Sequence, residues 1–208
     1  MGDGIMAATA EMNARACGYL DLLYAVLFHP VRTFKELTGE TEPDNRLLLY
    51  ALFSVILVSA IAPVIRFINV GGQPVNLLLF MPLSALIGSL VWLLSGLVVA
   101  MLSYAFTEQT RFRTILTLSG FATLPWVFMG PISLLKVGLG AVGVVLCALF
   151  GLSVWLWSVL LFALAIAVTY AMTAERVLIV LVMPFVMTLI FIGWIFGFFG
   201  NISNLVPH

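Results

Sequence analysis

The chain carries only nine basic and nine acidic residues in 208 positions, and their uneven placement fixes what it can fold into. Residues 1–46 hold Arg15, Arg32, Lys35 and Arg46 together with Asp3, Glu11, Asp21, Glu36, Glu40, Glu42 and Asp44. The remaining seven charges are Arg66, Glu108, Arg111, Arg113, Lys136, Glu175 and Arg176. Between them run uncharged stretches at 47–65, 67–107, 114–135, 137–174 and 177–208. A hydrocarbon core of about 30 Å takes about 20 helical residues to cross, and a charge at its centre costs roughly 2.5–3.5 kcal/mol on insertion scales. Each stretch is therefore long enough for a spanning helix.

Composition agrees. Hydrophobic residues make up 63% and charged residues 9%, whereas a soluble domain averages about 25% charged. A soluble globular protein and a disordered tail are excluded. Formal net charge is zero, so nothing offers the basic footprint of a nucleic-acid binder. The expected fold is all-α: a polytopic bundle of five transmembrane helices preceded by short amphipathic interfacial helices.

Spans are predicted near 47–65, 82–105, 114–135, 152–171 and 177–199, giving a membrane domain over 47–200, a cytoplasmic N-terminal segment over 1–46 and a short tail over 201–208. Residues 69–76 read as a loop because Asn69, Gly71, Gly72, Gln73, Pro74 and Asn76 are turn residues. Residues 137–151, with Gly138, Gly140, Gly143 and Gly151, read as an extension of the third span or a partly inserted segment. With five spans and a cytoplasmic N-terminus, Arg15, Arg32, Lys35, Arg46, Arg111, Arg113 and Arg176 lie inside, against Arg66 and Lys136 outside. A sixth span over 137–151 would move Arg176 outside and weaken the positive-inside bias. The small, polar first residues do not resemble a secretory signal. Cys17 and Cys147 fall on no metal or redox spacing and read as inert thiols.

In the N-terminal segment, residues 16–28 read as a helix with Leu20, Leu23 and Leu27 on one side, widened by Tyr24 and Phe28, until His29-Pro30 breaks it. Pro30 then opens a second helix in which Val31, Phe34 and Leu37 recur every three residues while Arg32, Lys35 and Glu36 face away. Val31, Phe34 and Leu37 are a candidate partner-docking face; the alternative is an anchor that packs on the bundle and orients the first span.

An ionisable residue inside a membrane is a functional signal, and no Asp, Glu or His falls within a predicted span. Intramembrane serine, aspartyl and zinc proteases each need a base, a carboxylate pair or clustered His and Glu. Proton-coupled carriers need buried relay groups. The expectation is a non-enzyme without cofactor or metal. Helix-packing signals are clearer. Ser84, Gly88, Gly96 and Ala100 share an i+4 ridge interrupted by Trp92, and Gly193 and Gly197 form a G-x-x-x-G pair. Either set would serve self-association or packing within one bundle. Trp155 and Trp157 fit an interfacial belt at the start of the fourth span. Pro125, Pro131 and Pro184 are expected to kink their helices and free carbonyls. With Gly120, Pro125 and Pro131 mark the third span as a candidate site.

The order of three landmarks resembles a known family. The run from His29 through Pro30, Thr33 and Phe34 to Leu37 is similar to the Pro-x-x-Thr-Phe-x-x-Leu opening of its prokaryotic members. Ser119-Gly120-Phe121-Ala122-Thr123-Leu124-Pro125 is similar to a Gly-Tyr-x-x-x-Pro element in its third span, with Phe121 in place of tyrosine. Trp155 to Leu161, then Ala174 to Pro184, resemble its fourth span, short loop and proline-containing fifth span. The family is the Yip-domain family, named for Ypt (Rab) GTPase-interacting proteins, and the match is to its prokaryotic branch. The resemblance implies five spans, a cytoplasmic N-terminus and an outside C-terminus, in the plasma membrane for a prokaryotic chain. It supplies no catalytic residues. It implies a scaffold or adaptor organising other membrane components or trafficking; the alternative is a permease-like or lipid-handling protein using the proline-kinked third span. Expected partners are membrane lipids and other membrane proteins or a second copy. A Rab-type GTPase is implied only for a eukaryotic chain.

Overall fold

In a computed structural model the described residues are 18–39, 43–70, 74–184, 186 and 189–190. Among them the structure is all helix. Two short helices, α1 (Tyr19–Phe28) and α2 (Pro30–Leu37), precede the long helices α3 (Asn45–Val70) and α4 (Pro74–Thr107). Helix α5 (Phe112–Ala122) ends in a 3-10 turn over Leu124–Phe128, followed by α6 (Met129–Tyr170). A last helix, α7, covers 174–184 and continues at 186 and 189–190.

Among the described residues four stretches are long and apolar enough to cross a membrane: Asn45–Ile65, Leu77–Thr107, Phe112–Lys136 and Gly138–Tyr170. The fifth expected span begins in α7 and runs mostly beyond the described residues, as do Gly193 and Gly197. Two boundaries differ from the sequence reading. Helix α3 continues to Val70 and α4 starts at Pro74, so most of the expected loop at 69–76 is helical. Proline at the first helical position loses no hydrogen bond, so α4 begins well before Pro82, which it takes into its interior. The second difference lies at Gly140, whose φ of 55° and ψ of −129° break α6. Helix resumes at once and runs unbroken to Tyr170. Residues 141–151 therefore lengthen the fourth helix rather than the third. Gly143 faces the Leu135 backbone across this turn with no room for a Cβ atom. Trp155 and Trp157 accordingly lie near the middle of a long helix, not at its start.

The bundle is organised round α5. Thr114 through Ala122 are all buried, and the third span is 56% buried over its most apolar stretch against 17% for each of the other three. Water drives nothing together inside a bilayer, so close backbone approach and satisfied polar groups decide which helix sits at the centre. Gly120 lies against the Ala51 backbone of α3, and Gly96 of α4 faces Leu116. Gly88 packs on Ser59 of α3, and Ser84 Oγ donates to the Ser59 carbonyl at 2.7 Å. The ridge of Ser84, Gly88 and Gly96 is thus used inside one chain.

The N-terminal helices are fixed to this bundle. Tyr19 packs its ring on Tyr50 (centroids 5.4 Å apart) and edge-on to Phe53 (5.2 Å), and its hydroxyl lies 3.1 Å from Ser54 Oγ. Ser54 Oγ donates to the Tyr50 carbonyl at 2.9 Å, which leaves Tyr19 as donor. Tyr19→Phe removes this bond and keeps both ring contacts. The expected loss is about 0.5–1 kcal/mol, read as faster amide exchange confined to α1. Unchanged exchange there would mean the hydroxyl does not hold the helix.

Candidate functional site

The third span changes direction where the sequence places Pro125. Helix α5 closes with the Thr123 amide donating to the Gly120 carbonyl at 3.3 Å, and the Trp126 amide bonds Thr123 at 3.0 Å. In this tightened turn the donor to the Ala122 carbonyl would be residue 125, and proline has no N–H. Ser158 Oγ, reaching across from α6, donates to that carbonyl at 2.7 Å. On the other flank the Trp92 indole N–H donates to Ser119 Oγ at 3.0 Å, and Ser119 passes its own proton to the Leu116 carbonyl at 3.0 Å. The carbonyl that the break would strand in hydrocarbon is thus closed by a side chain from a neighbouring helix.

A cavity of about 640 Å³ adjoins the break. Its walls come from all five long segments: Val55 and Ser59 of α3, Gly88 and Trp92 of α4, Ser119 and Trp126 from the third span, Trp155 and Ser158 of α6, and Val180 and Pro184 of α7. The size suits a small molecule or an acyl chain. The walls are overwhelmingly apolar, with scattered hydroxyls of which Ser119 and Ser158 are already engaged. A second groove of about 580 Å³ lies on the outer flank, lined by Leu27, Phe28, Pro125, Phe128, Pro131, Phe150 and Trp157 among others.

The structure divides the residues singled out by the sequence. Pro125 and Pro131 meet in the outer groove, whereas Gly120 is used up in contact with Ala51. Pro131 makes no kink. It lies in the first turn of α6, where N–H groups have no intrahelical partner to lose. Pro184 forms part of the cavity wall. The docking trio is also split. Phe34 is fully buried in the chain's own core, Leu37 is half-buried, and only Val31 is exposed. A three-residue spacing defines a helix face, and this face turns its central side chain onto the bundle. Among the described residues no three of His, Cys, Asp and Glu come together.

Sequence reasoning names Ser119 only as the opening of a landmark, with no bonding role, and does not single out Ser158. Trp92 did carry a signal, since it interrupts a ridge of small residues and a buried indole N–H needs an acceptor. Ser158 carried none, because its role depends on a proline more than thirty positions away.

The family model described as the Yip1 domain matches residues 24–196. Comparison with curated proteins and with solved structures finds no significant match.

Proposed function

The chain belongs to the Yip1-domain family, with apolar helices that make it an integral membrane protein, and from that premise we propose that it is a non-enzymatic scaffold or adaptor for other membrane components. The observation that supports this reading best is the fixing of α2. Phe34 and Thr33 are buried, so the helix is held rigidly while Val31, Arg32, Lys35 and Glu36 stay exposed. Arg32 and Glu36 pair at 2.7 Å one turn apart, which orders the face. A mixed apolar and charged surface on an immobilised helix binds a protein partner at little entropic cost. The proposal places the N-terminus on the cytoplasmic side, with five spans and the C-terminus outside, in the plasma membrane of a prokaryotic cell. Membrane proteins or a second copy are the partners, and no nucleic acid is involved.

The test is purification from native membranes into nanodiscs, followed by mass spectrometry of proteins and lipids together. Paired Val31→Asp and Lys35→Glu changes touch only exposed positions, so a stoichiometric partner lost in that variant identifies α2 as the dock. Phe34 is unsuitable for this purpose, because any polar replacement there disrupts the core. A chain that emerges alone with an enriched lipid or solute overturns the scaffold reading. It would favour the permease-like or lipid-handling alternative, for which the 640 Å³ cavity is the supporting observation. The scarcity of unengaged polar groups in its walls suits an acyl chain better than a hydrophilic solute.

A further inference from the structure

The two ends of α1 touch the bundle at different heights. The starts of α3 and α5 and the end of α6 lie together: α4 runs antiparallel to both α3 and α5, with Gly88 on Ser59, Trp92 on Ser119 and Gly96 on Leu116, Ala51 packs on Gly120, and α6 faces α5 with Ser158 at Ala122 and Tyr170 near Arg111. That common end is marked by Arg46, Arg111 and Arg113, with Glu175 and Arg176 just beyond Tyr170. Tyr19 contacts Tyr50 and Ser54, which stand about 8 and 14 Å above the α3 start at 1.5 Å per residue. Leu27 and Phe28 share a groove with Pro125 and Trp157, each about 20 Å from the charged end by the same rise. So α1 climbs the flank of the bundle instead of lying across its end.

Its outward side is apolar. Leu20, Tyr24 and Phe28 are 76%, 59% and 60% exposed. The Tyr24 and Phe28 rings touch each other, with centroids 4.6 Å apart. This row is continuous with the exposed apolar surface of the spans: Phe53 lies edge-on to Tyr19, and Phe128, Phe150 and Trp157 line the groove beside Phe28. The turn at the deep end is partly closed by its own hydrogen bonds. The His29 amide donates to Ala25 at 2.8 Å, its carbonyl accepts from the Thr33 amide at 3.0 Å and hydroxyl at 2.9 Å, and Pro30 has no N–H to satisfy. Each bond made there lowers the cost of placing that backbone in lipid. The one acid on α1, Asp21, sits towards the shallow end and accepts from the Gly18 amide at 3.2 Å.

We propose that α1 is a re-entrant element inserted beside the bundle into the leaflet at its charged end, with Leu20, Tyr24 and Phe28 against lipid acyl chains. The lipid is the occupant of this face, and the outer groove beside Phe28 receives a chain. The inference rests on the membrane-protein assignment.

Single cysteines test it. In the full chain carrying Cys17→Ser and Cys147→Ala, the exposed positions are changed one at a time as Leu20→Cys, Tyr24→Cys, Phe28→Cys and Lys35→Cys. Each is labelled with a small fluorophore and reconstituted in phosphatidylcholine–phosphatidylglycerol vesicles. The expected result is a depth gradient. The label at 28 loses most emission to nitroxides in mid acyl chain, the label at 20 to nitroxides nearer the headgroup, and the label at 35 to aqueous iodide. Tyr24→Cys supplies an independent intermediate depth if Phe28→Cys fails to fold. Iodide quenching at 28 equal to that at 35 would place α1 in water and overturn the proposal. Protection of position 28 from both quenchers would also overturn it, since protein rather than lipid would then cover the face.

Discussion

Gly120→Leu is expected to unfold the bundle or lower its stability by more than about 3 kcal/mol. A Cβ at residue 120 would stand 2.8 Å from the Ala51 Cβ, 3.0 Å from the Ala51 carbonyl oxygen and 3.1 Å from its carbon. Two of those atoms are backbone, so no rotamer change relieves the contact and α3 itself must shift. Even Gly120→Ala is expected to cost about 1–3 kcal/mol, despite alanine's better helix propensity of about 1 kcal/mol. The other glycines grade the argument. At Gly96 a Cβ meets only the Leu116 Cδ1 at 2.8 Å, the far end of a flexible side chain, so Gly96→Ala is expected to cost less. At Gly138 nothing lies within 4 Å, and Gly138→Ala is expected to be neutral or slightly stabilising. Unfolding midpoints in detergent micelles measure the series. A Gly120→Leu chain as stable as the parent would mean that α3 and α5 do not touch at this point.

The same glycine shows how far the sequence could be read. The charge-free stretches located the long helices because insertion energetics depend on single residues counted along the chain. Which helix stands at the centre is a different kind of question. Helices that are apolar on every side carry no face to read, and α4 and α6 are of that sort. A usable signal did exist in the third span, where Thr114, Thr117, Ser119 and Gly120 follow one another closely. Small and hydroxyl-bearing residues at that density favour protein neighbours over lipid. The N-terminal helices were legible as helices, since His29-Pro30 and the three-residue spacing are local features. Their placement was not. Phe34 shows the difference: its spacing assigned it to a face, but whether that face meets a partner or the chain's own core depends on α6.

Prolines and glycines gave a similar mixture. Pro125 was readable as a break because a missing N–H disrupts any helix interior. Pro131 does not make a second kink, since the helix restarts at Met129, which is itself a consequence of the break. Four glycines between 138 and 151 announced weakness in the helix, yet only Gly140 adopts a positive φ. The chain reverses there because glycine alone takes that conformation without strain. Composition signals that a turn is affordable somewhere in such a stretch, and tertiary contact selects the residue.

The second large effect expected is a coupling between Pro125 and Ser158. Ser158→Ala in the native background removes the one hydrogen bond to the Ala122 carbonyl among the described residues and leaves that acceptor among apolar side chains. The cost expected is about 1–2 kcal/mol, in the upper part of the range for polar contacts within membranes. Pro125→Ala restores an amide at the position where a tightened turn would supply the Ala122 donor, and a regular α-helix would instead recruit the Trp126 amide. Either geometry satisfies the carbonyl without Ser158. In the Pro125→Ala background the Ser158→Ala change should therefore cost less than about 0.3 kcal/mol, so that the double-mutant cycle shows a coupling of roughly 1 kcal/mol or more. Trp92→Phe provides the contrast. It removes the donor to Ser119 on the opposite flank, and its cost should be the same whether residue 125 is proline or alanine. Equal costs for Ser158→Ala in both backgrounds would show that Ser158 acts through packing against the cavity wall instead. The break would then be held by the helices' own contacts, and the third span would keep its bend after the hydroxyl is gone.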